Sequence, residues 1–422
     1  MPSEDETAVA YLRAPLAIRA RCENILEKGF AGELEHFAIE MTAMSRVIDE
    51  VVAVTHERYP TLDVPVHGRS NHFRAAGIDR VAELDAKLAG LPRDERARAW
   101  IDLIVVSVLL DAGAGDQWRY REPSTGLEIS RSEGLAVASL RAFEAGLFSS
   151  DPQWPLRVDA IGLRELEPDR LAAAFQANNA NPLVGLDGRI GLVRALGNAL
   201  IAAPMIFPGD RPGGLLDHFM WIAIESRAPS GSMTRAVATK VDAPSILLAL
   251  LEGLGPIWPG RIELGGVNLG DVWPHPAAGG TGPSAGLVPF HKLSQWLAYS
   301  LFEPMQRAGL TITQPGALTG LPEYRNGGLL IDLGLLVPKH TRVREQSHAP
   351  GDSVIVEWRA LTVALLDRVA EGVRVKLGKS PGELPLANIL EGGTWAAGRA
   401  VASRLRPGGG SPLSIKSDGT VF

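Results

Sequence analysis

Residues 287–336 read LVPFHKLSQWLAYSLFEPMQRAGLTITQPGALTGLPEYRNGGLLIDLGLL. The first part has helical spacing, which places Lys292, Gln295 and Trp296 on one face because they are three and four residues apart. A connection rich in Gly and Pro leads into Leu-Pro-Glu-Tyr-Arg-Asn-Gly-Gly, and an apolar run follows. The stretch therefore predicts an amphipathic helix, a turn and a second segment that must be buried.

Three consecutive polar side chains, Glu323, Tyr324 and Arg325, lie between these apolar segments. Polar and charged groups are costly to bury unless they pair with one another or with a ligand. This triplet is therefore the first candidate for a functional site.

Helical spacing continues along most of the chain, so we predict a mainly α fold. The predicted helices cover 8–28 (with a break near Pro15), 31–58, 79–91, 93–111, 133–146, 168–177, 187–203, 212–225, 243–253, 288–308, 352–377 and 384–404. Short strands are predicted at 118–120 and 262–264, with a terminal hairpin at 413–422 around Asp418-Gly419. No linker divides the chain, so residues 1–422 are interpreted as one large helical domain with small β elements; a two-lobed arrangement stays open.

The composition excludes several classes of protein. The chain has 422 residues, of which 45% are hydrophobic and 21% charged, with a formal charge of −6. Net acidity argues against a nucleic-acid partner, and a single cysteine excludes an internal disulfide framework. The most apolar run, 101–110, is far too short to cross a bilayer, and the acidic N-terminal stretch lacks a signal core. A cytoplasmic protein without membrane partner or cofactor is expected.

Familiar catalytic motifs are weak in this chain. Nine histidines are present, but HExxH and His-x-His are absent, so structural histidines are favoured over a metal site. The glycine-rich stretches 111–116 and 279–286 match neither a P-loop nor a dinucleotide fingerprint. Gly-Pro-Ser284-Ala-Gly matches G-x-S-x-G, but no strand precedes the serine, which favours a turn residue over a nucleophile.

Carboxylates, aromatics and cations are enriched between 268 and 325. They suit a flat polar ligand held by stacking and hydrogen bonds. Each residue alone is more readily a cap or a surface group, and the joint enrichment favours a site. Besides the polar triplet, the candidates are Asn268, Asp271, Trp273, His275, His291, Lys292, Gln295 and Trp296.

Several long motifs point to a known family. RSEGLAVASL (131–140), GLFSSDP (146–152), NPLVGLDGR (181–189), GDVWPHP (270–276), VPFHKLSQWLAYSLFEP (288–304) and ALTGLPEYRNGG (317–328) occur in this order. The chain resembles, over essentially its whole length, the uracil-catabolism family called Urc-four or Urg-three. That resemblance implies a pathway in which uracil becomes a ribonucleotide, its ring is opened and a ribosylurea-type intermediate follows.

Residues 290–336 also resemble a late region of the queuosine salvage glycosidases, which share the helical DNA glycosylase fold and release a base from ribose. Lys292, Gln295, Tyr324 and Arg325 match that pattern. Glu323 stands where the salvage enzymes have Asp, and Asn-Gly-Gly replaces Val-Pro-Gln after Arg325. The resemblance implies a helical glycosidase fold and N-glycosidase chemistry.

An N-ribosyl hydrolase of ribosylurea, or of its 5′-phosphate, is the leading hypothesis, since cleavage of an N-glycosidic bond builds positive charge on the sugar. Glu323 is the first choice for the carboxylate that stabilises this charge, Asp271 the second and Asp332 the third. His275 or Lys292 would assist the leaving group. Tyr324, Arg325, Gln295, Asn268, Trp273, Trp296, His291 and Asp332 are expected to bind the substrate. A ureido C–N amidohydrolase and a non-catalytic pathway partner remain alternatives.

Overall fold

Helices dominate the computed structural model, which describes residues 2–111, 113–225, 239–259 and 261–416, and the predicted mainly α class is confirmed. The α-helices are α1 (Glu4–Arg13), α2 (Pro15–Phe30), α3 (Met44–Arg58), α4 (Arg69–His72), α5 (Arg80–Leu88), α6 (Arg93–Leu109), α7 (Arg131–Glu144), α8 (Ala160–Arg164), α9 (Pro168–Ala174), α10 (Leu186–Ala202), α11 (Gly214–Glu225), α12 (Ala243–Gly253), α13 (Lys292–Arg307), α14 (Tyr324–Asp332), α15 (Arg342–Glu345), α16 (Ser353–Leu377), α17 (Leu386–Ile389) and α18 (Trp395–Leu405).

The strands are short and pair two by two. They are β1 (Phe37–Ile39), β2 (Tyr120–Arg121), β3 (Glu128–Ile129), β4 (Thr239–Asp242), β5 (Glu263–Leu264), β6 (Val267–Asn268), β7 (Val272–Pro274), β8 (Leu287–Pro289), β9 (Leu310–Thr313), β10 (Leu336–Pro338), β11 (Ser347–His348) and β12 (Ser414–Ile415).

One compact unit comprises Met1–His67, Gly260–Trp296 and Gln314–Phe422. Its longest helix, α16, is buried over most of its length and packs against α2 and α3. Each fully buried aliphatic side chain there contributes roughly 1.5–3 kcal/mol of stability. Helix α14 packs tightly on α18, because a Cβ at Gly398 would overlap the carbonyl oxygen of Arg325. The pairs β1–β10, β5–β6, β7–β8 and β11–β12 belong to this unit.

The second compact unit comprises Gly68–Pro259 and Leu297–Thr313. Its helix α6 is buried continuously from Ala99 to Leu109, as its apolar sequence predicts, and packs against α7, α10 and α11. Strands β4 and β9 pair in parallel, and β2 pairs with β3. A fully buried ion pair joins Arg80 to Glu122, with 2.6 Å between Nη2 and Oε2.

Two predicted helices near the N terminus differ from the structure. The stretch 8–28 is divided between α1 and α2, and Pro15 occupies the first turn of α2, where its missing N–H leaves no hydrogen bond unmade. The continuous helix predicted at 31–58 is wrong. Gly32, at φ +76, follows the end of α2, and the chain then forms β1, where Glu357 Oε1 accepts the N–H of Phe37 at 2.8 Å. Tertiary pairing overrides the helical spacing there.

Three predictions in the C-terminal half also need correction. The helix predicted from 288 begins at Lys292, since 287–289 pair with β7. The helix predicted at 384–404 is interrupted by a π-helical turn, Leu390–Thr394. The predicted terminal hairpin is wrong at Ser414–Ile415, which pair in parallel with β11, and Asp418-Gly419 lie outside the described residues. Helix α14 was not predicted.

Candidate functional site

Strands β7 and β8 bring Asp271 to the start of α13. The pairing of Val272 with Pro289 places Asp271 beside the residues that follow β8, and the Asp271 carbonyl accepts the N–H of Phe290 at 2.9 Å. The Asp271 side chain then accepts the backbone N–H of Lys292 at 3.0 Å, through Oδ2. Asp271 thus stabilises the first turn of α13, where backbone amides otherwise lack partners.

Arg359 of α16 holds the same carboxylate from the other direction. Its Nη1 and Nη2 donate to Oδ1 and Oδ2 of Asp271 at 2.7 and 2.8 Å, and Trp273 Nε1 donates to Oδ1 at 2.7 Å. The Arg359 guanidinium lies 4.1 Å from the centre of the Phe290 ring. Burial raises the pKa of Asp271, but Arg359 and the other donors outweigh it and leave this pKa well below its usual range. Asp271 is a fixed anion whose two oxygens are each engaged twice.

His291 lies between β8 and α13 in the left-handed region, at φ +46. This conformation is uncommon for a residue with a side chain. Its buried ring donates from Nε2 to the carbonyl oxygen of Leu12 at 2.9 Å, and burial lowers the pKa of the imidazole. The neutral ring therefore ties the start of α13 to α1.

Gln295, one turn into α13, fixes the connection that leads to Glu323. Its Nε2 donates to Phe290 O at 3.0 Å and to Thr319 Oγ1 at 2.8 Å, while its Oε1 accepts the N–H of Thr319 at 2.9 Å. Gln295 is fully buried. The two contacts with Thr319 thereby fix the connection before α14 against the first turn of α13.

Glu323 is the residue that caps α14. Its Oε2 accepts the N–H of Arg325 at 2.7 Å and its Oε1 accepts the N–H of Asn326 at 2.6 Å. The side chain is buried, and burial raises the pKa of Glu323. The two amides and the positive charge of Lys292 act against that increase, so Lys292 lies within electrostatic reach of the carboxylate.

Arg325 follows on α14 and is only 5% exposed. Its Nη1 donates to Gly409 O at 2.6 Å, and its guanidinium lies 4.7 Å from the ring centre of half-buried Tyr324. Within the described residues, Nε is buried without a hydrogen-bond partner, and no carboxylate lies within 4.0 Å of the guanidinium. A buried cation in this state is suited to an anionic ligand.

The other predicted site residues lie in the same unit with structural contacts of their own. Asp332, at the opposite end of α14 from Glu323, forms a bidentate ion pair with Arg406. Nη1 and Nη2 of Arg406 donate to Oδ1 and Oδ2 of Asp332 at 2.7 and 2.6 Å. His275 Nδ1 accepts the N–H of Ala277 at 3.2 Å, which caps a short turn. Asn268 Oδ1 accepts the N–H of Gly270 at 2.9 Å within a turn.

The two tryptophans predicted to pack on a ligand are both buried. Trp273 lies against Arg261, whose guanidinium is 5.1 Å from the indole centre. The ring centre of Trp296 is 6.3 Å from that of His67, for which the sequence favoured a structural role over a metal-ligand role.

Other motifs have ordinary structural contacts. Ser284 lies in a short turn, where its hydroxyl donates to Thr281 O at 3.3 Å and accepts from Arg21 at 3.1 Å. In the part of the chain that the structure describes, no group of three or more His, Cys, Asp or Glu side chains is arranged to hold a metal ion. None of the helices described is long and apolar enough to cross a membrane.

Comparison with known proteins adds three findings. Residues 11–422 match the family described as "Protein of unknown function (DUF1688)". The chain is 39% identical to "Protein urg3" of Schizosaccharomyces pombe, over 98% of this chain and 99% of that protein. It is 36% identical to "Uracil catabolism protein 4" of Lachancea kluyveri, over 99% of both. The first family resemblance drawn from the sequence motifs is confirmed.

Proposed function

Because the chain belongs to the DUF1688 family, whose description assigns no activity, we propose a function from its site and from the names of its relatives. The protein acts in uracil catabolism, as the name of the Lachancea kluyveri relative suggests. Its reaction is the hydrolysis of a ribosylurea-type intermediate, with or without a 5′-phosphate, to urea and the corresponding ribose.

The observation that carries this proposal is the buried carboxylate of Glu323, near Lys292 and beside Arg325. Cleavage of the C1′–N bond develops positive charge on the sugar, which a carboxylate stabilises. A raised pKa also makes Glu323 a better acceptor for the proton of the attacking water, because proton transfer is most efficient when the pKa approaches the working pH.

Arg325 supplies the charge that a phosphate requires. Its guanidinium lies without a carboxylate partner among the described residues, and Nε is free to donate. Arginine recognises phosphate through parallel hydrogen bonds, which favours the 5′-phosphate form of the substrate. Tyr324, Trp273 and Trp296 would pack against the ligand.

The remaining predicted residues position this group. Asp271, saturated by Arg359 and Trp273, fixes the start of α13 rather than exchanging protons. Gln295, on the same helix, accepts the N–H of Thr319 and so positions the chain that leads to Glu323. In this proposal Asp332 stabilises α14 through its ion pair with Arg406.

Incubation of the purified protein with ribosylurea and with its 5′-phosphate tests the proposal. Urea and reducing sugar should appear in equal amounts, faster from the phosphorylated substrate. Ammonia without released sugar would indicate cleavage of a ureido C–N bond instead. If neither product forms, the protein is a non-catalytic member of the pathway and the proposal fails.

A further inference from the structure

A second group of ionisable side chains lies in the unit that contains Glu323. His67 Nδ1 is 2.8 Å from Oε2 of Glu391, and both residues are at least 95% buried. Glu391 Oε1 accepts from Arg58 Nη2 at 3.2 Å and from the Tyr59 hydroxyl at 3.3 Å. Arg58 and Tyr59 therefore fix the Glu391 carboxylate, and the carboxylate in turn orients the His67 imidazole.

This contact determines which nitrogen of His67 is available. The carboxylate can only accept a hydrogen bond, so Nδ1 carries the proton and the neutral ring has its lone pair on Nε2. Among the residues that the structure describes, the His67 ring makes no further hydrogen bond to protein. A proton bound at Nε2 would give an imidazolium whose charge Glu391 stabilises directly.

The pair of His67 and Glu391 depends on an irregular helical turn. Glu391 lies in the π-helical turn Leu390–Thr394. Such turns are rare in proteins, and those that occur are often at functional sites. Gly393 lets this turn press against α3, because a Cβ there would overlap Val51. The backbone of His67 is tied to the same segment, since its N–H donates to the carbonyl oxygen of Ala387, four residues before Glu391, at 3.0 Å.

The surroundings connect the pair to the candidate site. The ring centres of Trp296 and Trp395 each lie 6.3 Å from that of His67. Trp296 is four residues after Lys292 on α13, and residues so spaced are neighbours on one helix face. The π-helical turn also contacts α14, which Glu323 caps.

We propose that His67, oriented by Glu391, is the general acid that protonates the leaving urea nitrogen. As the C1′–N bond breaks, its electron pair goes to nitrogen, which takes the Nε2 proton of the imidazolium. The oxygen of water bonds to C1′, and Glu323 takes the proton that this water releases. Proton exchange with solvent then restores both groups. This inference rests on the proposed function.

A substrate that needs no acid separates this role from a structural one. His67→Gln should lower kcat on ribosylurea 5′-phosphate by about 100-fold or more with little change in KM, because general acid catalysis contributes roughly 10²–10⁴-fold. On 4-nitrophenyl riboside 5-phosphate, whose leaving group departs unprotonated, the same variant should keep most of the wild-type rate. Glu391→Gln should show the same selectivity, since Glu391 acts through His67. Equal losses on both substrates would overturn the assignment.

A matched control is His348→Gln, which removes another buried histidine whose Nε2 contacts Val343 O at 3.0 Å. It should leave both rates near those of the wild type. If it lowers them as much as His67→Gln does, the effect of His67 is structural and the assignment fails.

Chemical labelling tests the place of His67 without relying on turnover. Diethyl pyrocarbonate acylates neutral imidazoles that it can reach. A general acid must meet its substrate, so the path that brings substrate to buried His67 should also admit the reagent, and ribose 5-phosphate should then protect His67 but not exposed His56. Failure of the reagent to label His67 in the free protein would overturn its place in a ligand site. Labelling of His67 that ribose 5-phosphate leaves unchanged would overturn its place in a ligand site. If the wild type hydrolyses neither substrate, the proposed function fails, and protection of His67 still decides whether the pair belongs to a ligand site.

Discussion

Asp271 and Glu323 both accept backbone amides at the first turn of a helix, yet their pKa values are displaced in opposite directions. Burial raises the pKa of each. At Asp271 the guanidinium of Arg359 reverses that effect, whereas Glu323 has no ion pair within 4.0 Å among the described residues. One carboxylate is therefore a permanent anion, and the other is suited to proton exchange.

Replacement of Arg359 with Met should lower the free energy of unfolding by about 3–5 kcal/mol, because it leaves the Asp271 anion without its cation. Urea denaturation would measure the change. Arg368→Met is the control, since its pair with Glu23 is about one-third exposed and should contribute no more than about 1 kcal/mol. Similar losses in the two variants would contradict a special role for the Arg359 pair.

The two carboxylates should impose opposite pH dependences on stability. Asp271 has a lowered pKa in the folded protein, so its contribution is present above the unfolded pKa of about 4 and is lost as pH falls towards the folded value. Glu323 has a raised pKa, so the folded state loses stability as pH rises from about 4 through its folded value. Relative to the wild type, Asp271→Asn should gain stability with acidification and Glu323→Gln with rising pH. Unfolding at several pH values measures both, and slopes of the same sign would refute the assignment.

Glu323→Gln should reduce kcat for ribosylurea 5′-phosphate by about 100-fold or more while binding persists, because the amide neither stabilises a cationic sugar nor takes a proton. Asp242→Asn is the matched control. Asp242 caps α12, where Oδ1 accepts the N–H of Ser245 at 2.8 Å, and lies in the other unit. The control should retain full turnover, and wild-type turnover in Glu323→Gln would remove Glu323 from the mechanism.

The burial of Glu323 and Arg325 could be predicted from the sequence because the signal is local. Apolar residues flank Glu323 and Arg325 in the chain, and both are buried in the structure. It was harder to predict that Glu323 caps a helix and that Arg325 has no carboxylate partner among the described residues. Helix α14 itself was not predicted, because the Asn-Gly-Gly that follows its first two residues weakens the helical pattern.

Pairs that are distant in sequence could not be predicted by spacing. Arg359 reaches Asp271 across 88 residues, and His67 reaches Glu391 across 324. Without knowledge of its contact with Glu391, the sequence favoured a structural role for His67. A π-helical turn leaves no periodic signal that would single out Glu391, because a helical pattern runs through 384–404.

Gln295→Leu should destabilise the protein by about 1–3 kcal/mol, because it leaves the buried N–H of Thr319 without an acceptor. It should also lower kcat more than it changes KM, since the chain that precedes Glu323 loses its attachment to α13. Thr319→Val keeps the backbone bond to Gln295 and should have the smaller effect on both. Thermal unfolding and kinetics measure the two parts, and a stability loss with unchanged kcat would limit Gln295 to folding.

Arg325→Met should weaken binding of ribosylurea 5′-phosphate by about 10-fold or more and leave binding of ribosylurea nearly unchanged, because a charged hydrogen bond contributes about 1.5–3 kcal/mol. Arg374→Met is the control, since Arg374 also donates to a backbone carbonyl in this unit, that of Leu384 at 2.9 Å. Titration calorimetry with both ligands measures the ratio. Equal losses of affinity for the two ligands would show that Arg325 maintains the fold around Gly409 and Tyr324 and does not bind the phosphate.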